Sequence, residues 1–225
     1  MTTFLKPEER LDDLQIKGYE IIQHPGKFCF GMDAVLLSNF AKVKKGEHVL
    51  DLGTGTGIIP ILLTAKTEGE RFVGLEIQPE SADMARRSIL HNHLEQKIEI
   101  VNGDIKEAAN LFGGASFDVI TTNPPYMSGQ HGIANMSDTK AIARHEIKVT
   151  IDDIAKVSSK LLENQGYLYL VHRSLRLVDV IKSLGNYNFG IKRIVPIYSK
   201  KNANANLFLI EAIYNGKDYV TIDSP

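Results

Sequence analysis

The segment "VLDLGTGTGIIP", residues 49–60, decides the fold of this chain. An apolar strand pattern runs directly into glycines at positions 53, 55 and 57, and an apolar helix pattern begins at Ile58. Glycines between a strand and a helix allow backbone N–H groups to approach a ligand closely at the helix N-terminus. The segment therefore predicts one strand–turn–helix unit of a doubly wound α/β sheet, with a ligand at its turn.

The same alternation continues on the C-terminal side of this segment. Short apolar runs rich in β-branched residues alternate with helix-period segments, which is typical of a parallel sheet covered on both faces. The later strands are predicted in 71–77, 97–105, 117–123 and 166–172, and the helices in 58–67, 79–94, 105–112, 150–163 and 174–185. Two last strands, 191–199 and 206–214, have only a polar turn between them. We predict an α/β fold with a mostly parallel, seven-stranded, doubly wound sheet that ends in an antiparallel hairpin.

Composition indicates one main domain. The 225 residues, 43% of them hydrophobic, suffice for one well-buried α/β domain, assigned to 31–225 and preceded by a strand-and-turn appendage, 1–30. The first residues are too charged for a signal peptide, and the apolar runs are far shorter than the roughly 18 residues of a membrane span, so we expect a cytoplasmic protein. The single cysteine, Cys29, excludes an intramolecular disulfide and argues against a structural zinc site.

Acidic residues stand at the ends of three successive predicted strands. Asp51 is unfavourable beside a pyrophosphate but suits the ammonium group of an amino acid. Glu76 follows Asp51 at the spacing at which a carboxylate of a doubly wound sheet meets ribose hydroxyls, and Asp104 is placed to accept the exocyclic amine of an adenine. Together the three acids indicate a nucleoside that carries an amino acid.

From about residue 30 onward, these features resemble the S-adenosylmethionine-dependent methyltransferases of the doubly wound, Rossmann-like α/β type. The resemblance implies that S-adenosyl-L-methionine is the cofactor, with the glycine turn against its methionine part, the second acid on the ribose and the third near the adenine. The cofactor-binding residues that it implies are Asp51, Gly53, Thr54, Gly55, Gly57, Glu76, Ile77, Asp104, Ile105, Asn123, Phe30 and Asp33.

The strand predicted at 117–123 ends in "TTNPPY", residues 121–126. Two prolines stop the strand and keep the backbone extended. The motif resembles the Asn/Asp-Pro-Pro-aromatic signature of amino-methylating enzymes, which implies catalytic roles for Asn123, Pro124 and Tyr126. The Asn123 side-chain oxygen and the Pro124 carbonyl accept hydrogen bonds from a planar amine and aim its lone pair at the methyl donor. Tyr126 stacks on a flipped base.

The identity of the amine depends on the flanking sequence. Glutamine methyltransferases with this motif have a separate helical N-terminal domain, for which residues 1–30 leave no space. DNA adenine methyltransferases usually insert a large recognition domain, and no segment of this sequence is long enough for one. The segment "HPGKFCFGMDAVLLSNFA", residues 24–41, and the short chain resemble the bacterial family that methylates N6 of adenosine 37 in valine tRNA. An rRNA guanine-N2 enzyme, a protein glutamine N-methyltransferase and a non-catalytic cofactor-binding subunit are the alternatives.

The segment before the glycine turn has two interpretations. In related enzymes it packs near the cofactor, which would bring Phe30, Met32 and Asp33 to the site. Alternatively, Phe30 and Met32 belong to the core and Asp33 caps the following helix. The sequence does not decide between the two.

The expected partner is tRNA or another structured RNA. We expect no membrane and no metal to take part, and we expect the protein to be a monomer. The chain has a net charge of −1, but residues 151–225 hold 10 Lys and Arg against 7 Asp and Glu. Arg173 and Arg176 follow a strand end and therefore belong on the same sheet edge as the Asn-Pro-Pro motif. Arg144 follows a polar loop and is expected to contact the flipped base.

Four more cations surround the predicted C-terminal hairpin, namely Lys192, Arg193, Lys200 and Lys201. They are further candidates for phosphate contacts. The hairpin turn can lie on the active-site edge of the sheet or on the opposite edge, because its direction depends on the strand order.

Overall fold

The structure is a computed structural model that describes residues 5–27, 29–125 and 149–224. Its strands are β1 (Arg10–Asp13), β2 (Glu20–Gln23), β3 (His48–Leu52), β4 (Arg71–Glu76), β5 (Ile98–Asn102), β6 (Phe117–Thr122), β7 (Leu162–Arg173), β8 (Phe189–Tyr198), β9 (Ala205–Tyr214) and β10 (Thr221–Ile222). Its helices are α1 (Met32–Phe40), α2 (Ile58–Lys66), α3 (Pro79–His91), α4 (Ala108–Phe112), α5 (Ile151–Leu161) and α6 (Leu177–Asn186). Two short 3₁₀ turns, Ile105–Glu107 and Ser174–Arg176, precede α4 and α6.

The large sheet has the strand order β10-β8-β9-β7-β6-β3-β4-β5. Strands β3 to β7 are parallel to one another, while β9 is antiparallel to both β7 and β8. This confirms the doubly wound, mostly parallel class and the C-terminal hairpin. The sheet contains the seven predicted strands and an eighth, β10, whose two residues pair with Arg193 and Ile194. A strand of two residues is too short to show a periodicity in the sequence.

The core lies on both faces of this sheet. On one face, side chains of α4, α5 and α6 such as Ala108, Ile154 and Val180 are fully buried in one hydrophobic cluster. On the other face, α1, α2 and α3 contribute buried residues such as Leu37 and Ile61 to a second cluster. The strands between them have buried side chains on both faces, which is why their sequences read as nearly continuous apolar runs. Within the described ranges, no helix combines the length and the apolar character needed to cross a membrane.

A small two-stranded sheet, β1 and β2, lies outside the large one. Ile21 and Ile22 of β2 are fully buried, and the strand is tied to α3 by side-chain hydrogen bonds. The backbone N–H of Ile22 donates to the Ser88 hydroxyl at 2.9 Å, and that of Glu20 donates to the Asn92 side chain at 2.9 Å. The division of the chain into 1–30 and 31–225 stays a prediction.

The chain reverses its direction of winding between β3 and β6. From β3 the sheet continues outward to β4 and β5, whereas β6 lies on the other side of β3 and leads to β7. In open α/β sheets, ligands bind beyond the carboxyl ends of the strands at such a switch point. The glycine turn follows β3 and Asn123 follows β6, so the fold brings the two main motifs of the sequence to this point.

Candidate functional site

The glycine turn after β3 has a backbone that only glycine adopts easily. Gly53, Gly55 and Gly57 have φ values of +76°, +58° and +87°, in the left-handed region that disfavours side chains. The N–H groups of Gly53 and Thr54 both donate to the Leu75 carbonyl, at 2.9 and 3.0 Å, which anchors the turn to β4. Among the described residues, a side chain at Gly55 would meet no atom within 4 Å, apart from the two neighbours in the chain. With respect to this part of the chain, the turn presents its backbone to open space at the N-terminus of α2.

Glu76, at the end of β4, supports this turn. Its Oε2 accepts a hydrogen bond from the Gly55 N–H and its Oε1 one from the Gln78 N–H, both at 2.8 Å. Burial raises the pKa of Glu76, and the backbone N–H groups of Gln78, Gly55 and Ile77 oppose that rise. An ionised carboxylate has about four acceptor positions, so Glu76 retains capacity for a ligand's hydroxyl groups. The sequence predicted a ligand contact here but not the bracing of the glycine turn.

Asp51 is a buried carboxylate with one unsatisfied oxygen. It is 1% exposed; its Oδ1 accepts from the Thr121 hydroxyl at 2.7 Å, whereas Oδ2 has no hydrogen-bond partner in the described part of the chain. Burial raises the pKa of Asp51 to about 6; nearby Thr54 and Thr121 oppose the rise, and the charge of Glu76 adds to it. The Thr54 hydroxyl is close enough to lower this pKa, but it is buried and forms no hydrogen bond of acceptable geometry with any described residue. A buried carboxylate in this state suits a cationic donor from a ligand.

Asp104 and Ile105 follow β5. The Asp104 side chain accepts a hydrogen bond from the Lys106 N–H at 2.8 Å and caps the 3₁₀ turn. Ile105 is buried, and its Cδ1 lies 3.9 Å from the position that a Cβ would occupy at Gly53. Ile105 thus forms an apolar side wall next to the glycine turn.

Ile77 is half-buried after β4, and its carbonyl accepts a hydrogen bond from the Asn102 side chain at 3.0 Å. The same Asn102 amide donates to the Glu76 carbonyl at 2.7 Å. This asparagine therefore holds the ends of β4 and β5 together. Its role was not predicted, because an exposed asparagine at a strand end is also common in turns.

Gln23 connects the segment before α1 to the glycine turn. The side chain is fully buried; Nε2 donates to the Thr56 hydroxyl at 2.6 Å and Oε1 accepts from the Phe30 N–H at 3.0 Å. Phe30 itself packs partly buried against the α1–α3 core cluster. Sequence reasoning missed Gln23, and the available signal was a glutamine directly after the apolar pair Ile21-Ile22 in the strand "EIIQ".

Two parts of the second interpretation of the segment before α1 are wrong, namely the core position of Met32 and the capping role of Asp33. Met32 is 70% exposed and does not belong to the core. Asp33 does not cap α1, because the helix begins at Met32 and Gly31 occupies the N-cap position. Asp33 lies in the first turn, and its Oδ1 accepts from the Ala34 N–H at 3.0 Å.

The two threonines of "TTNPPY" join β6 to β3. The Thr121 hydroxyl binds Asp51, and the Thr122 hydroxyl donates to the Leu52 carbonyl at 2.9 Å. The register pairs Thr122 with Leu52, so Asn123 and Gly53 are the next residues along two strands that lie about 4.8 Å apart. Asn123 is half-buried at this junction. The threonine contacts set the position of Asn123 relative to the glycine turn.

A cavity of about 520 Å³ adjoins the end of β6. Buried Pro124 and exposed Pro125 line it together with His172, Arg176 and Lys182, and with residues 149–152 at the start of α5. The two prolines of the motif therefore adjoin a concave surface formed with the end of β7 and with α5 and α6. Tyr126 and Arg144 lie outside the described residues.

His172 was not predicted as a site residue. It is 7% exposed at the end of β7; burial, together with the positive charges of Arg176 and Arg173, lowers its pKa to about 4. Its Nδ1 accepts the Arg173 N–H at 2.9 Å, so the neutral ring carries its proton on Nε2. A histidine within a strand read as apolar gives no distinguishing signal in the sequence.

Arg173 and Arg176 lie where the sequence predicted them, on the edge that carries Asn123. Arg173 is the exposed last residue of β7, and Arg176 ends the 3₁₀ turn that follows. The Arg176 Nε is 2.6 Å from Oδ2 of Asp179. In the three described ranges, no group of three His, Cys, Asp or Glu side chains is arranged to hold a metal ion.

Comparison with known proteins identifies the family of this chain. The family model described as methyltransferase small domain matches residues 18–187. A tRNA1(Val) (adenine(37)-N6)-methyltransferase from Porphyromonas gingivalis is 30% identical over 192 residues, covering 83% of this chain and 74% of that protein. A protein of the same name from a Flavobacteriaceae bacterium is 25% identical over 89% of this chain and 88% of its own length.

Solved structures share the fold. A crystal structure described as a predicted O-methyltransferase from Agrobacterium tumefaciens superposes with a TM-score of 0.69, at 22% identity, over 86% of each chain. At this identity the likeness concerns the fold, and it agrees with the doubly wound sheet described above.

Proposed function

The chain belongs to the methyltransferase small domain family, and from that premise we propose that it transfers a methyl group from S-adenosyl-L-methionine to N6 of adenine in tRNA. The observation that carries this proposal is the meeting of two motifs at the switch point between β3 and β6. There the glycine turn and the unsatisfied Asp51 carboxylate lie one strand away from Asn123 and Pro124.

The residues at the ends of β3, β4 and β5 fit the cofactor. S-adenosyl-L-methionine supplies an electrophilic methyl group on a positively charged sulfur. In the proposed arrangement, Asp51 Oδ2 accepts the ammonium group, and the open backbone at Gly55 receives the methionine part. Glu76 accepts the ribose hydroxyls, and Asp104 accepts the adenine amine. The apolar walls are Ile77 and Ile105.

Asn123 and Pro124 orient the amine that is methylated. The lone pair of an exocyclic amine is delocalised into its ring, which makes the nitrogen a poor nucleophile. Hydrogen bonds from its N–H groups to the Asn123 side-chain oxygen and the Pro124 carbonyl favour a pyramidal nitrogen whose lone pair is free to react. The methylated ammonium is acidic enough to lose its proton to water, so no dedicated base is needed. Tyr126 is assigned to stack on the flipped base.

The tRNA substrate is supported by the relatives named tRNA1(Val) (adenine(37)-N6)-methyltransferase and by the arginines at the end of β7. Arg176 lines the cavity at Pro124, and Arg173 is the exposed last residue of β7 three positions earlier. From there the two arginines can contact phosphates that flank the target nucleotide. Arg144 is assigned to the flipped base. Acting on tRNA, the protein would work in the cytoplasm, and we assign it as a monomer.

An assay across substrate classes tests this function. The protein is incubated with methyl-labelled cofactor and, separately, with unmodified total tRNA, rRNA or protein, and the products are digested and identified. We expect N6-methyladenosine in the tRNA reaction, with a reaction lacking the enzyme as the control. Label in N2-methylguanosine of rRNA would identify rRNA guanine as the substrate instead, and label in methylglutamine would identify a protein glutamine. Cofactor binding without transfer to any of these would indicate a non-catalytic subunit.

A further inference from the structure

The strand register determines the direction of the C-terminal hairpin. β9 is antiparallel to β7, and Arg173 at the end of β7 pairs with Leu207 near the start of β9. The preceding turn, 199–204, joins β9 to Tyr198 at the end of β8, which pairs with Ala205. The tip of the hairpin, residues 198–203, therefore lies on the same sheet edge as Asn123 and Arg173. The 3₁₀ turn that carries Arg176 packs against β9 and so lies between the end of β7 and the hairpin strands.

The hairpin tip combines an aromatic ring with positive charge. Tyr198 is 43% exposed, and Lys200 and Lys201 are exposed beside it. These residues line a shallow concavity of about 500 Å³ formed by the tip itself. The sequence from 198 to 206 contains no acidic residue. A register irregularity between Ile197 and Tyr198 interrupts the pairing with β9 at this point, and such bulges redirect side chains.

Other cations near the hairpin are engaged elsewhere. Arg193 binds Asp223 and Glu211, at 2.6 and 3.2 Å, and its guanidinium lies 4.9 Å from the centre of the Phe40 ring. Lys192 donates to the Lys217 carbonyl near the opposite edge of the sheet. In contrast, Lys200 and Lys201 make no ion pair with any residue that the structure describes, so their charge is available to a partner.

We propose that the hairpin tip is a second RNA contact, which binds a nucleotide outside the target adenine. Tyr198 stacks on an unpaired base, and Lys200 and Lys201 neutralise the adjoining phosphates; aromatic platforms with basic flanks bind single-stranded nucleic acid in this way. Three strand spacings separate β6 from β8, roughly 14 Å, so the contact is to another nucleotide of the same RNA. This inference rests on the proposed function.

Charge reversal tests the lysines. Lys200→Glu with Lys201→Glu is compared with Lys45→Glu and Lys217→Glu, two exposed lysines on the amino edge of the sheet, because both double variants change the net charge equally. We expect the tip variant to bind tRNA at least about tenfold more weakly, with a salt slope reduced by about 1.4 for two lost contacts to a single strand. S-adenosylhomocysteine affinity should equal that of the parent. Equal tRNA affinity and salt slope in the two double variants would overturn the inference.

Replacement of the ring tests stacking. Tyr198→Ala should weaken tRNA binding by about 5- to 150-fold, the range for loss of one stacked base, while Tyr198→Phe should bind like the parent because its ring can still stack. If Tyr198→Phe binds tRNA as weakly as Tyr198→Ala, or if Tyr198→Ala binds tRNA like the parent, the proposed stacking contact is wrong. A parent protein that methylates no tRNA would contradict the proposed function itself, whereas a parent that methylates tRNA with tip variants equal to their controls would contradict only this inference.

Discussion

The carboxyl edge of the sheet consists of two halves with opposite character. The ends of β3, β4 and β5 carry acidic side chains that are largely buried and held by hydrogen bonds, such as Asp51 and Glu76. The end of β7 and the hairpin tip carry exposed cations, such as Arg173 and Lys200, and the end of β6 opens onto a cavity. We call the two halves the acidic half and the basic half; the first suits the proposed cofactor, a small ligand, and the second suits the proposed RNA, a large anionic one.

The difference shows how each half obtains affinity. In the acidic half, two backbone N–H groups hold the Glu76 carboxylate and the Thr121 hydroxyl holds that of Asp51, which reduces the ordering that binding requires. In the proposed RNA site of the basic half, each long exposed side chain contacts one phosphate, so the expected affinity depends on the number of these contacts and on the salt concentration. Changes on the acidic half should therefore alter cofactor binding, and changes on the basic half should alter RNA binding. Asn123 lies between them.

The largest effect is expected at Asn123, where the two halves meet. Asn123→Ala removes the acceptor that orients the amine, so the single-turnover rate of methyl transfer should fall by about 10²–10³-fold, as for loss of an oxyanion-hole donor. Affinity for S-adenosylhomocysteine, measured by calorimetry, should stay near that of the parent. Asn110→Ala, at an exposed position of α4, is the matched control. A rate within threefold of the parent would reject Asn123 as the orienting residue.

Asp51 should make the ligand-free protein less stable as pH rises. Its folded-state pKa of about 6 lies above the ordinary value of 3.8. At a pH between these two values, Asp51 therefore keeps its proton in the folded protein but has lost it in the unfolded chain. The free energy of unfolding should therefore fall by about 2 kcal/mol more in the parent than in Asp51→Asn between pH 4.5 and 8. Denaturant titrations of the two proteins at both pH values measure this difference. Parallel pH profiles would show that Asp51 is not desolvated in the ligand-free protein.

Glu76 separates cofactor binding from RNA binding. Glu76→Ala removes charge-assisted hydrogen bonds worth about 1.5–3 kcal/mol and should weaken S-adenosylhomocysteine binding by roughly 10- to 150-fold. The affinity for tRNA should not change, because Glu76 lies on the acidic half. Glu95→Ala, at an exposed position, provides the control. Unchanged S-adenosylhomocysteine affinity in calorimetry would remove Glu76 from the cofactor site.

The arginines of the basic half should give the smallest effect, with the opposite selectivity. Arg173→Glu with Arg176→Glu should weaken tRNA binding about tenfold and reduce its salt slope, while S-adenosylhomocysteine affinity stays constant. The Lys45→Glu and Lys217→Glu variant again controls for net charge. Filter binding at several salt concentrations measures both quantities. A normal salt slope would place the RNA elsewhere on the protein.

Local sequence patterns determined much of this protein. The alternation of strands and helices, the glycine turn, the acids at three strand ends and the stop at "NPP" were all readable in advance. Each depends on residues that are close in sequence, because periodicity, turn chemistry and the limits of proline act within a few residues. The predicted elements accordingly agree with the observed ones to within a few residues at most ends.

Only the tertiary structure decided how these elements meet. The contact of Thr121 with Asp51 joins residues 70 positions apart, and that of Gln23 with Thr56 joins residues 33 apart. Neither is visible in a local pattern. The placement of β9 between β7 and β8 likewise put the hairpin tip, with Tyr198, on the sheet edge that carries Asn123. Strand order and register follow from the packing of remote segments into one core. Side chains alternate along a strand in the same way whether its neighbour is parallel or antiparallel, so the sequence of one strand does not reveal the direction of the next.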